Sequence, residues 1–403
     1  MNTPQSSFLF ITQVYVPDPA AVGQHMADAA AQMARRGHAV TVLTADRGYD
    51  NPRERFPARE TLDGVEVRRL PWSSFGKRSI PVRLLGGASF VAQAVLRGLL
   101  LPRVDAVVVS TSPPLAPLAA LALSFLRGAP IKYWVMDLNP DQAVALGVVK
   151  PGSLAARAFE ALNRAVLARA KTVVVLDRFM AERVTRKRDV RGKMVVIPPW
   201  PLDDDLRPVP HADNPFRRRH GLEGKRVIMY SGNHSPANPV TTALEAARRL
   251  AARKDLAFVF VGGGAGKREV DRCGLPNVLS LPYQPLAELK YSLSAADAHL
   301  VSVGDGIVGI CHPCKVYGAM SVARPVFLLG PEPCHVSELI ARADIGWHVR
   351  HGDADAAERA ALEVADLPQA ELSAKGERAR ALIGDGLSKS VLCGKFCGVL
   401  ETT

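Results

Sequence analysis

The chain has 403 residues, of which 48% are apolar and 22% charged, and it carries six cysteines and a net charge of +12. That length exceeds one comfortable hydrophobic core and predicts two domains, while the composition excludes a disordered chain. Six cysteines in this length form no disulfide framework and point to a reducing cytoplasm, and no apolar run is long enough to span a membrane.

In chain order, residues 8–12 predict a strand, followed by a Gly/Pro-punctuated loop through Gly23, a helix over 26–36 and a second strand over 40–44. The polar, uncharged residues 1–7 that precede this run predict no leader. Residues 65–70 alternate like a strand, and 73–83 form a basic, loop-like segment. A helix is expected over 88–101, a buried strand over 106–110, a helix over 115–126 and a strand over 131–136. That strand opens into Asp137-Leu138-Asn139-Pro140-Asp141. An amphipathic helix over 153–171 carries Leu154, Ala158, Leu162 and Val166 along one stripe. Strands over 172–176 and 194–197 close this half.

Pro198-Pro199-Trp200-Pro201 then breaks regular structure. Domains over 1–200 and 225–403 with a linker over 201–224 are therefore expected. The opening order recurs after the linker. Residues 227–230 lead into the loop Ser231-Gly232-Asn233-His234, then a helical pattern over 242–253, a strand over 258–261 and the turn Gly262-Gly263-Gly264. A last helix at about 388–400 has no strand to follow it and is placed against the N-terminal domain.

Two such modules predict an α/β protein of two Rossmann-like, doubly wound domains facing each other across a cleft. Sheets of this kind bind ligands where loops leave the carboxyl ends of the strands. The sharpest cluster of candidate residues is Gly304-Asp305-Gly306-Ile307-Val308-Gly309, followed by Cys311-His312-Pro313-Cys314-Lys315-Val316-Tyr317-Gly318. Glycines free backbone N–H groups there, and a lysine opening a helix suits a diphosphate.

Residues 313–326 resemble the "P-S-K-x-Y-G-x-x-A-x-G-x-P-V" stretch of retaining group 1 glycosyltransferases with the GT-B fold. The resemblance is nearest to the branch that builds bacterial exopolysaccharide and lipid-linked glycans. Tyr15-Val16-Pro17-Asp18-Pro19 with Gly23 is similar to the family's N-terminal loop, and Arg36-Gly37-His38-Ala39-Val40-Thr41-Val42 to its "R-G-H-x-V-x-V". The Asp137–Asp141 pentapeptide is similar to "D-L-W-P-D", Tyr230-Ser231-Gly232-Asn233-His234 to "Y-S-G-N", and Gly262-Gly263-Gly264 to "V-G-G-G". The order of these motifs along nearly the whole chain is more specific than any one of them.

The resemblance implies a nucleotide-diphosphate sugar in the C-terminal domain and a lipid-linked or saccharide acceptor in the N-terminal one. Gly232, Asn233 and His234 would then sit near the donor diphosphate, with Gly262, Gly263, Pro282 and Tyr283 bordering the base and ribose. His312, Lys315 and Tyr317 belong to the same donor site. Lys315 would neutralise the departing diphosphate, and Gly23 would bring backbone against the donor. Asp137 is the candidate acceptor of the hydroxyl proton. The family's pair of glutamates is missing, because Ile310 and Gly318 occupy those positions. Asn233 and Asn238 likewise stand in the region of its donor-loop Arg and Lys. Asp305 is the candidate substitute in the sugar pocket.

No metal or other cofactor is expected. Asp203-Asp204-Asp205 contains a D-x-D pattern but lies in the linker, and Cys311-His312-Pro313-Cys314 has only Cys334-His335 as a second half for zinc. The basic excess lies wholly in residues 1–200, with 27 Lys and Arg against 15 Asp and Glu; residues 201–403 hold 24 of each. Lys77, Arg78 and Arg83, beside the apolar helix over 88–101, are expected to meet an anionic membrane surface. That makes the chain a peripheral protein on the inner face of the plasma membrane. Nucleic acid is disfavoured, since no recognised binding motif accompanies the charge. A non-hydrolysing sugar-nucleotide epimerase and a catalytically silent nucleotide-sugar-binding homologue are the alternative readings.

Overall fold

The computed structural model describes residues 6–18, 20–48, 51–75, 80–201 and 206–402. The chain divides into two compact units. Unit 1 comprises residues 1–199, 309–311 and 390–403; unit 2 comprises 200–308 and 312–389.

Unit 1 is built on eight strands: β1 (Ser7–Ile11), β2 (Ala39–Ala45), β3 (Arg59–Leu62), β4 (Val65–Leu70), β5 (Ala106–Ser110), β6 (Ile131–Trp134), β7 (Thr172–Val175) and β8 (Met194–Val196). They lie in the order β3-β4-β2-β1-β5-β6-β7-β8, all parallel except the β3–β4 pair. Strands such as Ala-Val-Val-Val-Ser in β5 are buried at every position, as a parallel sheet covered on both faces requires. The covering helices are α1 (Ala21–Arg35), α2 (Ile80–Leu99), α3 (Ala116–Arg127), α4 (Asp141–Ala145), α5 (Leu154–Arg169) and α6 (Arg178–Lys187).

Two of these helices start earlier than their sequence predicts. α1 begins at Ala21, so Gly23 lies inside it and not in a loop; a Cβ at Gly23 would come within 3.1 Å of the Tyr15 backbone. The glycine lets the helix close against the end of the β1 loop. α2 begins at Ile80 and absorbs the end of the segment read as a basic loop. Pro81 occupies its first turn, where the missing N–H costs nothing, and Gly86 and Gly87 are buried against Phe75 and Leu115.

In unit 2, the stretch read as a linker contains α7 (Pro215–Arg219), capped by the Asn214 side chain. The buried Arg217 guanidinium donates to the carbonyls of Ala295, Leu222 and Lys225 and pairs with Asp297. Six parallel strands follow: β9 (Arg226–Ser231), β10 (Leu256–Val261), β11 (Val278–Leu281), β12 (Ala298–Ser302), β13 (Val326–Leu329) and β14 (Gly346–Val349). Their order, β11-β10-β9-β12-β13-β14, is that of a dinucleotide-binding sheet. The helices are α8 (Thr241–Arg249), α9 (Lys267–Arg272), α10 (Leu289–Ser294), α11 (Lys315–Ser321), α12 (His335–Ala343), α13 (Ala354–Asp366) and α14 (Gln369–Leu382).

The last helix, α15 (Lys389–Glu401), belongs to unit 1 from Ser390 onward. Phe396 packs on Trp134 with ring centroids 4.2 Å apart, and Arg36 donates to the Gly394 carbonyl and pairs with Glu401. Among the described residues no helix is long and apolar enough to cross a membrane.

Candidate functional site

In unit 2 the sheet reverses its winding between β9 and β12. Their outgoing loops diverge there and leave a crevice beyond the carboxyl ends. The loops after β9, β10 and β11 are laced by backbone hydrogen bonds. Gly232 N–H donates to Val261 O (2.9 Å), Gly262 N–H to Leu281 O (3.0 Å), His234 N–H to Gly263 O (2.7 Å) and Gly266 N–H to His234 O (2.8 Å). Gly262 and Gly264 have φ of 130° and 116°. A Cβ on either would overlap the Gly232 carbonyl or the Asn233 side chain, so only glycine lets these loops close on each other. The Lys267 ammonium on α9 fastens the same region by donating to Phe260 O (2.6 Å) and Leu281 O (2.7 Å).

Lys315 is the first residue of α11. Its aliphatic chain runs across Gly232, where a Cβ would be 2.6 Å from the lysine Cε, and its ammonium lies 5.1 Å above the Tyr230 ring. Tyr230 is fully buried and donates its hydroxyl to Asn233 O at 2.7 Å, which fixes the ring under the ammonium. The structure thus brings Gly232, Asn233, Gly262, Gly263 and Lys315 together. The Tyr283 ring stands over Gly263, 3.0 Å from where a Cβ would be; Pro282, Tyr283 and Asn233 are exposed, and so is Asp305 in the loop after β12.

The His234 ring is buried and tilted by 54° against Tyr230, with centroids 4.5 Å apart, and among the described residues neither ring nitrogen has a hydrogen-bond partner. Burial, reinforced by the charges of Lys267 and Lys315, pushes its pKa down to about 4. The imidazole is therefore neutral at neutral pH, and the ammonium above Tyr230 is that of Lys315.

Sequence reasoning did not find the partner of Tyr317. This buried hydroxyl lies 2.8 Å from His312 Nε2 and 3.0 Å from His335 Nε2. A phenol has one proton to donate, so one imidazole accepts from it and the other donates to it. His335 opens α12 just beyond the carboxyl end of β13, and that position is the signal that could have found it. Among the described residues no group of three His, Cys, Asp or Glu side chains is arranged for a metal ion. Asp203, Asp204 and Asp205 lie outside the described residues, as do Lys77 and Arg78.

In unit 1, Asp137 follows β6 at the carboxyl end of the sheet. Its N–H donates to the Thr111 hydroxyl (2.9 Å), and its backbone bridges to Cys311. Leu138 N–H donates to Ile310 O (2.9 Å), which explains why Gly309–Cys311 belongs to this unit. Burial raises the Asp137 pKa above its ordinary value, opposed by a hydrogen bond from the Cys311 side chain. The Tyr15–Asp18 loop after β1 is fixed by Asp18, whose carboxylate accepts from Ala20 N–H (3.0 Å), and by the buried Arg69, which donates to Val16 O (2.9 Å). Gly23 is buried in this packing. Arg83 is exposed in the first turn of α2.

The glycosyl transferase 4-like domain family matches residues 20–200. The chain is 29% identical over 303 residues to WbjE of Pseudomonas aeruginosa, described as a probable glycosyltransferase, covering 74% of this chain and 75% of that one. It is 26% identical to WcaI of Escherichia coli strain K12, assigned to colanic acid biosynthesis as a glycosyl transferase, over 76% of this chain and 79% of that one. Among solved structures it is similar to sucrose-phosphate synthase from Thermosynechococcus elongatus (TM-score 0.77, 16% identity, 98% of each chain). It is also similar to HepE of Anabaena, solved with UDP-glucose (TM-score 0.70, 16% identity, 98% of this chain and 100% of that one). Over residues 20–200 the chain is thus similar to glycosyl transferase 4-like domains, and as a whole it has the GT-B fold and glycosyltransferase relatives.

Proposed function

We propose that the chain transfers a sugar, with retention, from a nucleotide-diphosphate sugar to a lipid-linked or saccharide acceptor in cell-surface polysaccharide synthesis. One observation carries this reading: the ammonium of Lys315 is held over a cradle that only Gly232, Gly262 and Gly264 can form. Backbone and lysine together suit a diphosphate, and solved structures of the same fold hold UDP and UDP-glucose. Asp137 takes the proton of the acceptor hydroxyl. A concavity of about 530 Å³ in the same unit, lined by Asp141, Arg157, Arg164 and Lys187 among others, is the surface offered to the acceptor. Incubation with radiolabelled nucleotide sugars and a membrane extract tests the proposal; isomerisation without transfer would make the chain an epimerase, and binding alone a silent homologue.

In this reading Lys315 and backbone dipoles, not a metal ion, meet the charge of the leaving diphosphate. EDTA should leave turnover nearly unchanged, and a strict magnesium requirement would overturn the assignment.

The same reading places the chain on the cytoplasmic face of the plasma membrane, held through Lys77, Arg78, Arg83 and the exposed Leu84 and Leu85 of α2. A cation near an anionic bilayer contributes about 1 kcal/mol, and salt screens it. The protein should sediment with anionic liposomes, be released largely by high salt, and bind more weakly when these three cations become Gln. Nucleotide binding should be unchanged. Indifference of the wild type to anionic liposomes at low salt would leave the basic excess as a solvated surface.

A further inference from the structure

A second basic feature lies at the opposite end of the unit 1 sheet. A concavity of about 540 Å³ opens at the amino ends of β6, β7 and β8, where Pro130, Lys171 and Lys193 each directly precede a strand. Its lining includes Ser124, Arg169, Lys171 and Lys193 and, among the described residues, no carboxylate. Neighbouring cations are paired: Lys187 with Asp141 and Glu160, Arg164 with Glu160, Arg178 with Glu182 and Arg191 with Asp189. Among the described residues Arg169, Lys171 and Lys193 form no ion pair.

Their charges are nonetheless held in place. Arg169 donates Nε to the Ser124 hydroxyl (3.0 Å) and Nη2 to the Ser124 carbonyl (3.2 Å). Lys193 Nζ donates to Ala168 O (2.9 Å) and Ala170 O (2.6 Å), while Lys171 is exposed at the mouth. Neutral oxygens orient these groups without cancelling them. Burial is the main cause that lowers Lys193 and the buried Lys132, and the charges of Arg188 and Lys171 respectively add to it.

The rim is apolar. Phe125 and Leu126 follow Ser124 with 72% and 65% exposure, and the Arg169 guanidinium lies 5.0 Å over the Phe125 ring. Arg127 donates to Gly98 O (2.8 Å) and Leu101 O (2.5 Å), which ties the end of α3 to that of α2, where Leu100 is 75% exposed. Fixed cations in a recess beside exposed large apolar side chains match the two layers of a bilayer surface, phosphate outside and hydrocarbon beneath.

The geometry points to a binding site for a phosphate group, supplied by an anionic lipid whose bilayer receives Phe125, Leu126 and Leu100. It is independent of sugar transfer and of the contact around Arg83.

The test uses the full chain in flotation with phosphatidylcholine vesicles, with and without phosphatidylglycerol. Lys171→Glu is the main variant, because the Lys171 side chain is exposed and, among the described residues, makes no hydrogen bond, while its backbone N–H keeps its bond to Ile131 O in the variant; Arg169→Gln/Lys171→Gln/Lys193→Gln and Phe125→Ser/Leu126→Ser accompany it. Melting curves in phosphate against chloride at equal ionic strength form the second arm. Flotation with phosphatidylglycerol vesicles should fall severalfold in Lys171→Glu and on the order of tenfold or more in the triple variant. The Phe125/Leu126 variant should lose the part of binding that resists salt. If phosphate stabilises the wild type but not Lys171→Glu, and vesicles bind both alike, the site stands with a free phosphate as its source. Unchanged vesicle and phosphate responses in Lys171→Glu would overturn it. Neither arm reads transfer, and the Lys77, Arg78 and Arg83 substitutions read the other surface, so failures of the three ideas are distinguishable.

Discussion

Asp137→Asn should abolish sugar transfer while affinity for the nucleotide, measured by calorimetry, stays within a small factor. Asparagine keeps the shape of the side chain, and the backbone N–H still donates to Thr111, but it cannot take a proton. Burial raises the wild-type carboxyl above 3.8, so activity should climb as pH rises through that raised value. The same shift fixes the sign of the stability effect. A carboxyl whose pKa is raised on folding binds its proton more tightly in the native state, so its contribution is fully present below the unfolded pKa and lost as pH rises through the folded one. At neutral pH the ionised group therefore weighs against folding. Asp137→Asn should melt no lower than the wild type there, and the difference should move in favour of the wild type on acidification below its raised pKa. Loss of nucleotide affinity together with a lower melting temperature would make Asp137 a structural element instead.

Lys315→Ala should lower turnover by on the order of 100-fold, the usual cost of removing one group that stabilises charge in the transition state. Because the lysine chain also covers Gly232, alanine alone confounds charge with packing. Lys315→Met keeps the apolar contact over Gly232 and Tyr230 and removes only the ammonium, and its turnover should fall as far as that of alanine. Recovery of activity in the methionine variant would assign the residue to packing.

Much of this site was legible because its chemistry is local. Gly232, Gly262 and Lys315 lie in short motifs that directly follow apolar strand runs, and a parallel sheet buried on both faces demands such runs. The relation between them was not legible. Nothing in residues 230–234 announces that the chain of Lys315 crosses Gly232, and His335 stands out only once β13 is seen beside β12. His234 is a candidate donor ligand by its place in a motif, but the motif did not show that aromatic rings pack around its buried imidazole or that burial holds it neutral.

The sequence by itself determined the two α/β modules, the strands that run through them and the glycine turns at their carboxyl ends. These follow from side-chain type and spacing over a few residues. Only the tertiary structure decided where helices begin, since the early starts of α1 and α2 rest on Gly23 meeting the Tyr15 backbone and on Gly86 and Gly87 meeting Phe75 and Leu115. It alone decided that Gly309–Cys311 pairs with the Asp137 strand end and that α15 seats Phe396 on Trp134. The physical reason is the same in each case: these are contacts between surfaces far apart in the chain, and local propensity carries no information about which surface a residue will meet.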